Sequence, residues 1–249
     1  KIEGPRLLHI VTKKGKGYEP AELDSCRFHG TGPFDISSGK TVNNTPKEKV
    51  QSYTQAFSSW VVQKAQEHHK LHVITPAMRE GSGLVEFSQR YSERFHDVAI
   101  AEQHAVTLAA GMAIDGLKPV VAIYSTFLQR AYDQLVHDVA IQHLNVLFAV
   151  DRAGIVGADG ATHTGNFDLS FCRCIPNMLI MTPANTDDLF ALLNTGFDYD
   201  GPALVRYPRD NCIKTDLINT SKSIPIAQSE LIHDGKNIAI LVFGPFLKI

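Results

Sequence analysis

The chain has 249 residues, of which 44% are hydrophobic and 20% are charged, and its formal net charge is −2. This composition is typical of a globular protein, and a charge so close to zero favours neither a nucleic-acid nor an anionic-membrane partner. No apolar run approaches the roughly 20 residues that are needed to cross a bilayer.

The first 50 residues contain one predicted strand and a predicted linker. The strand is "RLLHIVT", residues 6–12, and the basic, glycine-rich turn "KKGKGYEP" follows it. Residues 21–50 mix Gly, Pro, Ser, Asn and charged residues without periodicity, which is typical of a linker.

From residue 52 onward, helical and strand-like runs alternate. Apolar residues at helical spacing predict a helix over residues 53–65. Six strand-like runs follow: "LHVITP", "DVAIA", "PVVAIYS", "NVLFAVD", "MLIMTP" and "ALVRYP". Helical stretches between several of them are "HAVTLAAGMAI", "QRAYDQLVHDVAIQ" and "NTDDLFALLNTG". This alternation predicts an α/β fold, a parallel sheet with helices on both faces.

Polar sequence collects directly after the predicted strands. In a parallel sheet of this kind the ligand lies outside the carboxyl ends of the strands. Nearly all the unusual polar residues fall in five segments at those ends: 75–83, 102–104, 124–130, 151–165 and 206–210. Their coincidence predicts an active site along one edge of the sheet.

Glu102 in "AIAEQHAV" follows an apolar run and begins a helical one. A carboxylate in this position either stabilises the N-terminus of a helix or is buried and binds a ligand nitrogen. The residues alone leave both interpretations open.

Three further segments are ambiguous when each is considered alone. "YSTFLQRAYDQ" brings hydroxyls, an aromatic ring and Arg130 to a strand end, although core aromatics and a solvated cation would look the same. "DRAGIVGADGATHTG" is a long glycine-rich loop, and unstructured loops of such length are usually functional. The two arginines of "RYPRD" suit a phosphate clamp or a surface ion pair equally well.

Together with "TPAMREGSG" and the "HIVTKKGKGYEP" turn, these segments occur in an order that resembles the 1-deoxy-D-xylulose-5-phosphate synthases. These are thiamine diphosphate enzymes related to transketolase. The resemblance extends from the turn to about residue 210. It implies the tail of a diphosphate-binding domain with a linker over residues 1–47, a pyrimidine-binding domain over residues 48–215, and the start of a C-terminal domain over residues 216–249.

The resemblance implies roles for twelve residues. Glu102 matches the glutamate that meets N1′ of the aminopyrimidine of the cofactor. Residues matched to the apolar wall around that ring are Met78, Ile100 and Phe127. Residues matched to further cofactor contacts are Lys16 and Tyr18. Residues matched to the positioning of pyruvate or to proton transfer are Tyr124, Arg130, Asp159 and His163. Residues matched to the phosphate of the acceptor are Arg152 and Arg209.

The implied reaction joins pyruvate, with loss of carbon dioxide, to glyceraldehyde 3-phosphate. The implied cofactors are thiamine diphosphate and Mg²⁺. The magnesium motif of the family is a contiguous GDG, which "GADG" is not, so the metal ligands are expected outside this segment.

The same resemblance implies a homodimer, and the near-neutral charge and the lack of a long apolar run indicate no nucleic-acid or membrane partner. The four cysteines lack metal-ligand spacing, and we interpret them as reduced thiols of a cytoplasmic protein. The chain opens without a methionine and closes on a predicted strand in "NIAILVFG", so we expect an internal segment that is inactive alone. A transketolase, a pyruvate dehydrogenase E1 subunit and an inactive dimerising module remain the alternatives.

Overall fold

The computed structural model describes residues 3–42, 51–212 and 223–248. The chain divides into two units, residues 1–48 and residues 49–249.

Three aromatic rings pack against one another in the first unit. The ring of Tyr18 meets that of Phe28 edge-on at a centroid distance of 5.5 Å, and it lies 5.9 Å from that of Phe34. Helix α1 (Glu19–Leu23) begins directly after this tyrosine, and an isolated bridge joins Phe34 to Thr41. The described part of the predicted linker is therefore organised by local packing.

The second unit contains eight strands among its described residues. They are β1 (Gln51–Ser52), β2 (Leu71–Thr75), β3 (Phe95–Asp97), β4 (Lys118–Tyr124), β5 (Leu147–Asp151), β6 (Leu179–Met181), β7 (Ala203–Arg206) and β8 (Asn211–Cys212). Six form a parallel sheet in the spatial order β3-β2-β4-β5-β7-β6, and β1 pairs with β8 in an antiparallel ribbon. The carboxyl ends of the six strands share one edge. The chain turns outward in opposite directions from β2 and β4, and a ligand crevice opens at such a switch point.

Helices cover both faces of the sheet, as the sequence predicts. They are α2 (Tyr53–Glu67), α3 (Val85–Arg90), α4 (Glu102–Ile114), α5 (Ser125–Leu128), α6 (Tyr132–Gln134), α7 (Asp168–Cys172) and α8 (Thr186–Asp198). Alternate strand residues point to opposite faces. Val120 joins a core with α2 and α8, whereas Val121 joins a second core with α4. None of the described helices combines the length and apolar character that a membrane crossing requires.

Three strained backbone positions lie just after strands of the sheet. Ala77, Ala99 and Arg152 are non-glycine residues with left-handed φ angles of 58°, 55° and 58°. They follow β2, β3 and β5. Each such conformation costs on the order of 1–3 kcal/mol and persists only where the surroundings enforce it. The strained positions therefore mark the same edge as the polar segments.

Two predicted strands are wrong. Residues 6–12 and 237–244 form no strand, and Leu7 and Ile240 within them are 95% and 79% exposed. An apolar run becomes a strand only where a neighbouring strand satisfies its backbone groups, and neither run has one within the described ranges. The predicted strand "DVAIA" is also displaced, because β3 ends at Asp97 just before the left-handed Ala99.

Candidate active site

Glu102 is the first residue of α4, and only 1% of its surface is exposed. Its Oε1 accepts a short, charged hydrogen bond from Nη1 of Arg130. Its Oε2 is buried and has no hydrogen-bond partner among the described residues. A buried acceptor without a partner costs about 1–3 kcal/mol. The carboxylate is therefore held from one side, and its second oxygen is left without a donor by the part of the chain that the structure describes.

Arg130 connects Glu102 to a group of aromatic rings. The guanidinium carbon of Arg130 lies 5.8 Å from the ring centroid of Phe127. Phe127 stacks against Tyr124 at 5.9 Å and meets His163 edge-on at 5.4 Å. All three rings are half-buried, so they form a partly exposed surface that begins beside the buried carboxylate.

Arg152 lies on the ring of Tyr124, with its guanidinium carbon 4.2 Å from the centroid. Nη1 of Arg152 donates to the carbonyl oxygen of Gly81 at 2.8 Å and to Oδ2 of Asp151 at 2.5 Å. A Cβ atom at position 81 would lie 1.9 Å from the Tyr124 hydroxyl oxygen, so only glycine permits this approach. Burial raises the pKa of Tyr124, although Arg152 opposes the shift. The phenol therefore stays protonated and can donate a hydrogen bond.

Asp159 lies between the two arginines that the resemblance pairs. Its Oδ1 forms an ion pair with Nη1 of Arg209, and its Oδ2 is 3.7 Å from Nε of Arg152. The loop that carries Asp159 is closed at its base by two backbone hydrogen bonds of 2.8 Å between Gly154 and Gly165. The loop that the sequence predicts as irregular therefore has a fixed base and two short 3₁₀ turns, Gly157–Asp159 and Ala161–His163.

Asp151 and Thr54 support Arg152, and the sequence assigns a role to neither. Asp151 is fully buried at the end of β5. Its Oδ2 accepts from the Thr54 hydroxyl at 2.8 Å, and its Oδ1 accepts from the backbone N–H of Arg152 at 2.6 Å. Burial raises the pKa of Asp151, while Arg152 and Thr54 oppose that shift. Asp151 lies inside a predicted polar segment, but nothing in the sequence near Thr54, at the start of α2, indicates its contact.

The sequence also gives no indication of a second buried carboxylate, that of Asp168. Asp168 begins α7 and is 1% exposed. It accepts from Nε and Nη2 of Arg206 at 2.8 and 3.1 Å, and its own Oδ1 accepts from the backbone N–H of Leu169 at 2.9 Å. Arg206 ends β7 within a predicted polar segment, whereas Asp168 lies just beyond one.

Eight of the twelve predicted residues therefore form one continuous series of contacts. In order they are Glu102, Arg130, Phe127, His163, Tyr124, Arg152, Asp159 and Arg209. Met78 is buried in the core cluster against which Tyr124 and Phe127 pack. Ile100, predicted as part of the apolar wall, is 76% exposed. Lys16 and Tyr18 lie in the first unit, where Lys16 is exposed and Tyr18 is half-buried.

The described residues contain no group of three or more His, Cys, Asp or Glu side chains arranged to bind a metal. Cys26, Cys172 and Cys174 carry free thiols, and burial raises the pKa of Cys172 to about 12.

Residues 49–214 match the family model described as "Transketolase, pyrimidine binding domain". The chain is 58% identical over 246 residues to a 1-deoxy-D-xylulose-5-phosphate synthase of Thioalkalivibrio sulfidiphilus, covering 99% of this chain and 38% of the relative. It is 60% identical over 247 residues to the protein of that name from Histophilus somni strain 2336, covering 99% of this chain and 39% of the relative. The chain thus spans less than two fifths of the length of these relatives.

Solved structures share the fold at lower identity. The structure entitled "Split gene transketolase, inactive beta4 tetramer" aligns with a TM-score of 0.64 at 24% identity, covering 75% of this chain and 60% of that one. A transketolase from Campylobacter jejuni aligns with a TM-score of 0.60 at 19% identity, covering 69% of this chain and 28% of that one. These likenesses establish the architecture and nothing further.

Proposed function

Because this chain belongs to the family of transketolase pyrimidine-binding domains, we propose that the protein carrying it has 1-deoxy-D-xylulose-5-phosphate synthase activity. The reaction would join pyruvate, with loss of carbon dioxide, to the aldehyde of glyceraldehyde 3-phosphate. The name shared by the relatives at 58% and 60% identity supports this assignment. Because the chain covers under two fifths of their length, parts of the catalytic centre would come from residues outside it.

The buried carboxylate of Glu102 is the observation that carries the proposal. The aminopyrimidine of thiamine diphosphate has a ring nitrogen that needs an acidic partner shielded from water. Oε2 of Glu102 is a buried acceptor with no partner among the described side chains, which fits that need. When bound, the cofactor supplies a thiazolium ring that stabilises the carbanion chemistry of decarboxylation.

Arg130 would hold the Glu102 carboxylate in the correct orientation. Its ion pair occupies only Oε1, so the second oxygen remains available to hold a proton shared with the ring nitrogen. Phe127 and Met78 would present apolar surface to the aminopyrimidine, because both lie in or against the core cluster beside α4.

Arg152 and Arg209 would bind the phosphate of the acceptor. Both guanidinium groups reach the same carboxylate, which supports their acting on one anion. Tyr124 and His163 lie between these arginines and Phe127, so they would orient pyruvate and the acceptor aldehyde through hydrogen bonds. Asp159 would take part in the same positioning or in proton transfer.

Magnesium and a second copy of the chain complete the proposal. We assign the magnesium ligands, which would fix the diphosphate, to residues outside this chain, and Lys16 and Tyr18 to further cofactor contacts. An open groove of about 380 Å³ on the outer side of α4, lined by His104, Leu108 and Met112 among others, supports pairing between copies. Free thiols support a reducing compartment such as the cytoplasm.

The test is a substrate panel on the purified full-length protein with thiamine diphosphate and Mg²⁺. We expect carbon dioxide release from pyruvate that depends on glyceraldehyde 3-phosphate and yields 1-deoxy-D-xylulose 5-phosphate. Turnover of a ketose phosphate donor instead of pyruvate would identify a transketolase. Acetyl transfer from pyruvate without the aldehyde would identify a pyruvate dehydrogenase E1 subunit, and no turnover with any donor would identify a non-catalytic module.

A further inference from the structure

Asp159 is placed where two cations would meet an anionic ligand. One of its oxygens is paired with Arg209, and the other lies 3.7 Å from Nε of Arg152. That distance is too long for a hydrogen bond. Both Oδ2 of Asp159 and Nε of Arg152 are buried and have no hydrogen-bond partner among the described residues. The carboxylate is therefore bonded to Arg209 and lies beside Arg152, which also pairs with Asp151, without a hydrogen bond to it.

We propose that Asp159 is an internal counter-anion of the acceptor-phosphate site, which competes with the substrate phosphate for Arg152 and Arg209. This inference rests on the proposed function, in which the two arginines bind that phosphate. A phosphate monoester carries about −1.5 to −2 charges and three acceptor oxygens, so it satisfies two guanidinium groups better than one carboxylate does. Two anions between the same cations repel each other. Asp159 must therefore withdraw when phosphate binds, and its charge lowers the affinity of the site.

Arg152 cannot be the group that moves. Its Nη1 is bonded to Gly81 and Asp151, its plane lies on Tyr124, and its side chain is only 11% exposed. These contacts hold the Arg152 guanidinium group in one position at the site. Its Nε is turned toward Asp159, at the distance given above.

Asp159, unlike Arg152, lies on a segment of backbone that can change its conformation. It ends a short 3₁₀ turn and lies between Gly157 and Gly160, whose φ angles are +58° and +78°. No heavy atom lies within 4 Å of the position that a Cβ would take at either glycine, so the backbone there is not packed in place. The paired hydrogen bonds between Gly154 and Gly165 keep the base of the loop fixed while its tip changes conformation.

The experiment measures binding of inorganic phosphate to the full-length protein by calorimetry, in a low-salt buffer without substrates. Asp159→Asn removes the charge and keeps the size, and we expect it to bind phosphate roughly tenfold more tightly, as loss of one charged competitor implies. Asp133→Asn removes a charge from a surface carboxylate that is 74% exposed, and it should leave the affinity unchanged. Unchanged or weaker phosphate binding by Asp159→Asn would overturn the proposal.

A double variant separates competition from a general change in charge. In an Arg209→Ala background, Asp159→Asn should gain much less affinity for phosphate, because one of the contested cations is gone. An equal gain in both backgrounds would show that Asp159 acts only through the overall field and would reject direct competition. Asp159→Ala serves as a second variant, with the same expected direction, should the asparagine protein fail to fold.

These measurements also distinguish this proposal from the proposed function. Tighter phosphate binding by Asp159→Asn in a protein without synthase activity would keep the counter-anion and reject the synthase. Synthase activity together with unchanged phosphate binding by Asp159→Asn would keep the synthase and reject the counter-anion. In an active enzyme, Asp159→Asn should also lower KM for glyceraldehyde 3-phosphate relative to that for unphosphorylated glyceraldehyde.

Discussion

Two buried carboxylates begin helices in the second unit, and they differ in how completely they are bonded. Glu102 and Asp168 are each 1% exposed, and each is paired with an arginine. Both oxygens of Asp168 accept from Arg206, whose side chain is 14% exposed. Among the described residues, only one oxygen of Glu102 accepts a hydrogen bond, and the donor Arg130 is 47% exposed.

The difference separates an ion pair whose charges are satisfied by each other from the carboxylate that we propose as a cofactor contact. The bidentate pair between Asp168 and Arg206 satisfies its own charges and fixes α7 to the end of β7. Glu102 retains an unsatisfied buried oxygen, which lowers stability unless a ligand is bound. Burial and pairing with arginine are common to both sites, so the number of satisfied acceptors is what distinguishes them.

The largest effect is expected from Glu102→Gln in the full-length enzyme. Turnover should fall by about 1,000-fold, because the amide cannot share a proton with the pyrimidine nitrogen. The free energy of unfolding should change by less than about 1 kcal/mol, because the glutamine keeps an oxygen that can accept from Arg130, and Arg130 is 47% exposed. Steady-state kinetics and urea denaturation measure the two quantities.

The comparison would fail if Glu102→Gln unfolded the protein or kept full activity. Arg130→Lys is the matched control, since it keeps a positive charge beside Oε1 while losing the planar geometry. It should reduce turnover by less than Glu102→Gln does.

The second prediction concerns the fully bonded pair. Asp168→Ala should lower the free energy of unfolding by about 3–5 kcal/mol, because it leaves Arg206, whose side chain is only 14% exposed, without its partner. Asp133→Ala, which removes an exposed pair with His137, should change it by less than about 0.5 kcal/mol. Urea denaturation of both variants at one pH makes the test, and equal losses would contradict the ranking.

The fold is predicted well where the pattern is local and repeated. Runs such as "NVLFAVD" form strands because their apolar residues are buried on both faces, in register with two neighbours. Residues 6–12 also contain an apolar run and form no strand, since strand formation depends on a neighbouring strand and the run itself does not specify one. The apolar character of a run can be read from the sequence, but the strand that pairs with it cannot.

The candidate site likewise has residues that the sequence predicts and contacts that it does not. Tyr124 ends β4, Arg152 follows β5 directly and Glu102 lies five residues after β3, and a parallel sheet brings all these strand ends to one edge. Thr54 lies on a helix 97 residues before Asp151, and no spacing rule connects them. The half-satisfied state of Glu102 is also invisible in sequence, because it depends on which donors the fold fails to supply.

The third prediction tests a carboxylate that is fully bonded but belongs to the site. Asp151→Asn should cost about 1–3 kcal/mol of unfolding free energy, because one oxygen that accepts from Arg152 and Thr54 becomes an amide nitrogen. It should also weaken phosphate binding, since Arg152 is no longer held in place. Asp159→Asn is expected to act in the opposite direction, so calorimetry on both variants gives a difference in sign. Tighter binding by Asp151→Asn would contradict its supporting role.

The smallest effect concerns a pair whose bonding depends on pH. Nδ1 of His72 on β2 lies 3.0 Å from Nε2 of His96 on the edge strand β3, with ring planes within 13° of each other. Only one proton fits between the two nitrogens. Burial lowers the pKa of both histidines, and the nearby His96 and Arg94 lower that of His72 further.

The sign follows from proton binding. Unfolded histidines take up protons near pH 6.5, whereas these folded ones do so at lower pH, so the unfolded state binds more protons in between. The stability that the pair contributes is therefore complete above about pH 6.5 and is lost as the pH falls through the folded pKa values. Urea denaturation at about pH 7.5 and about pH 5.5 should show a larger acid loss for wild type than for His96→Gln, by less than about 1 kcal/mol because both rings are partly exposed. Identical pH dependence in the two proteins would mean that the shared proton contributes nothing, and that the bonding of acceptors matters only for the fully buried carboxylates.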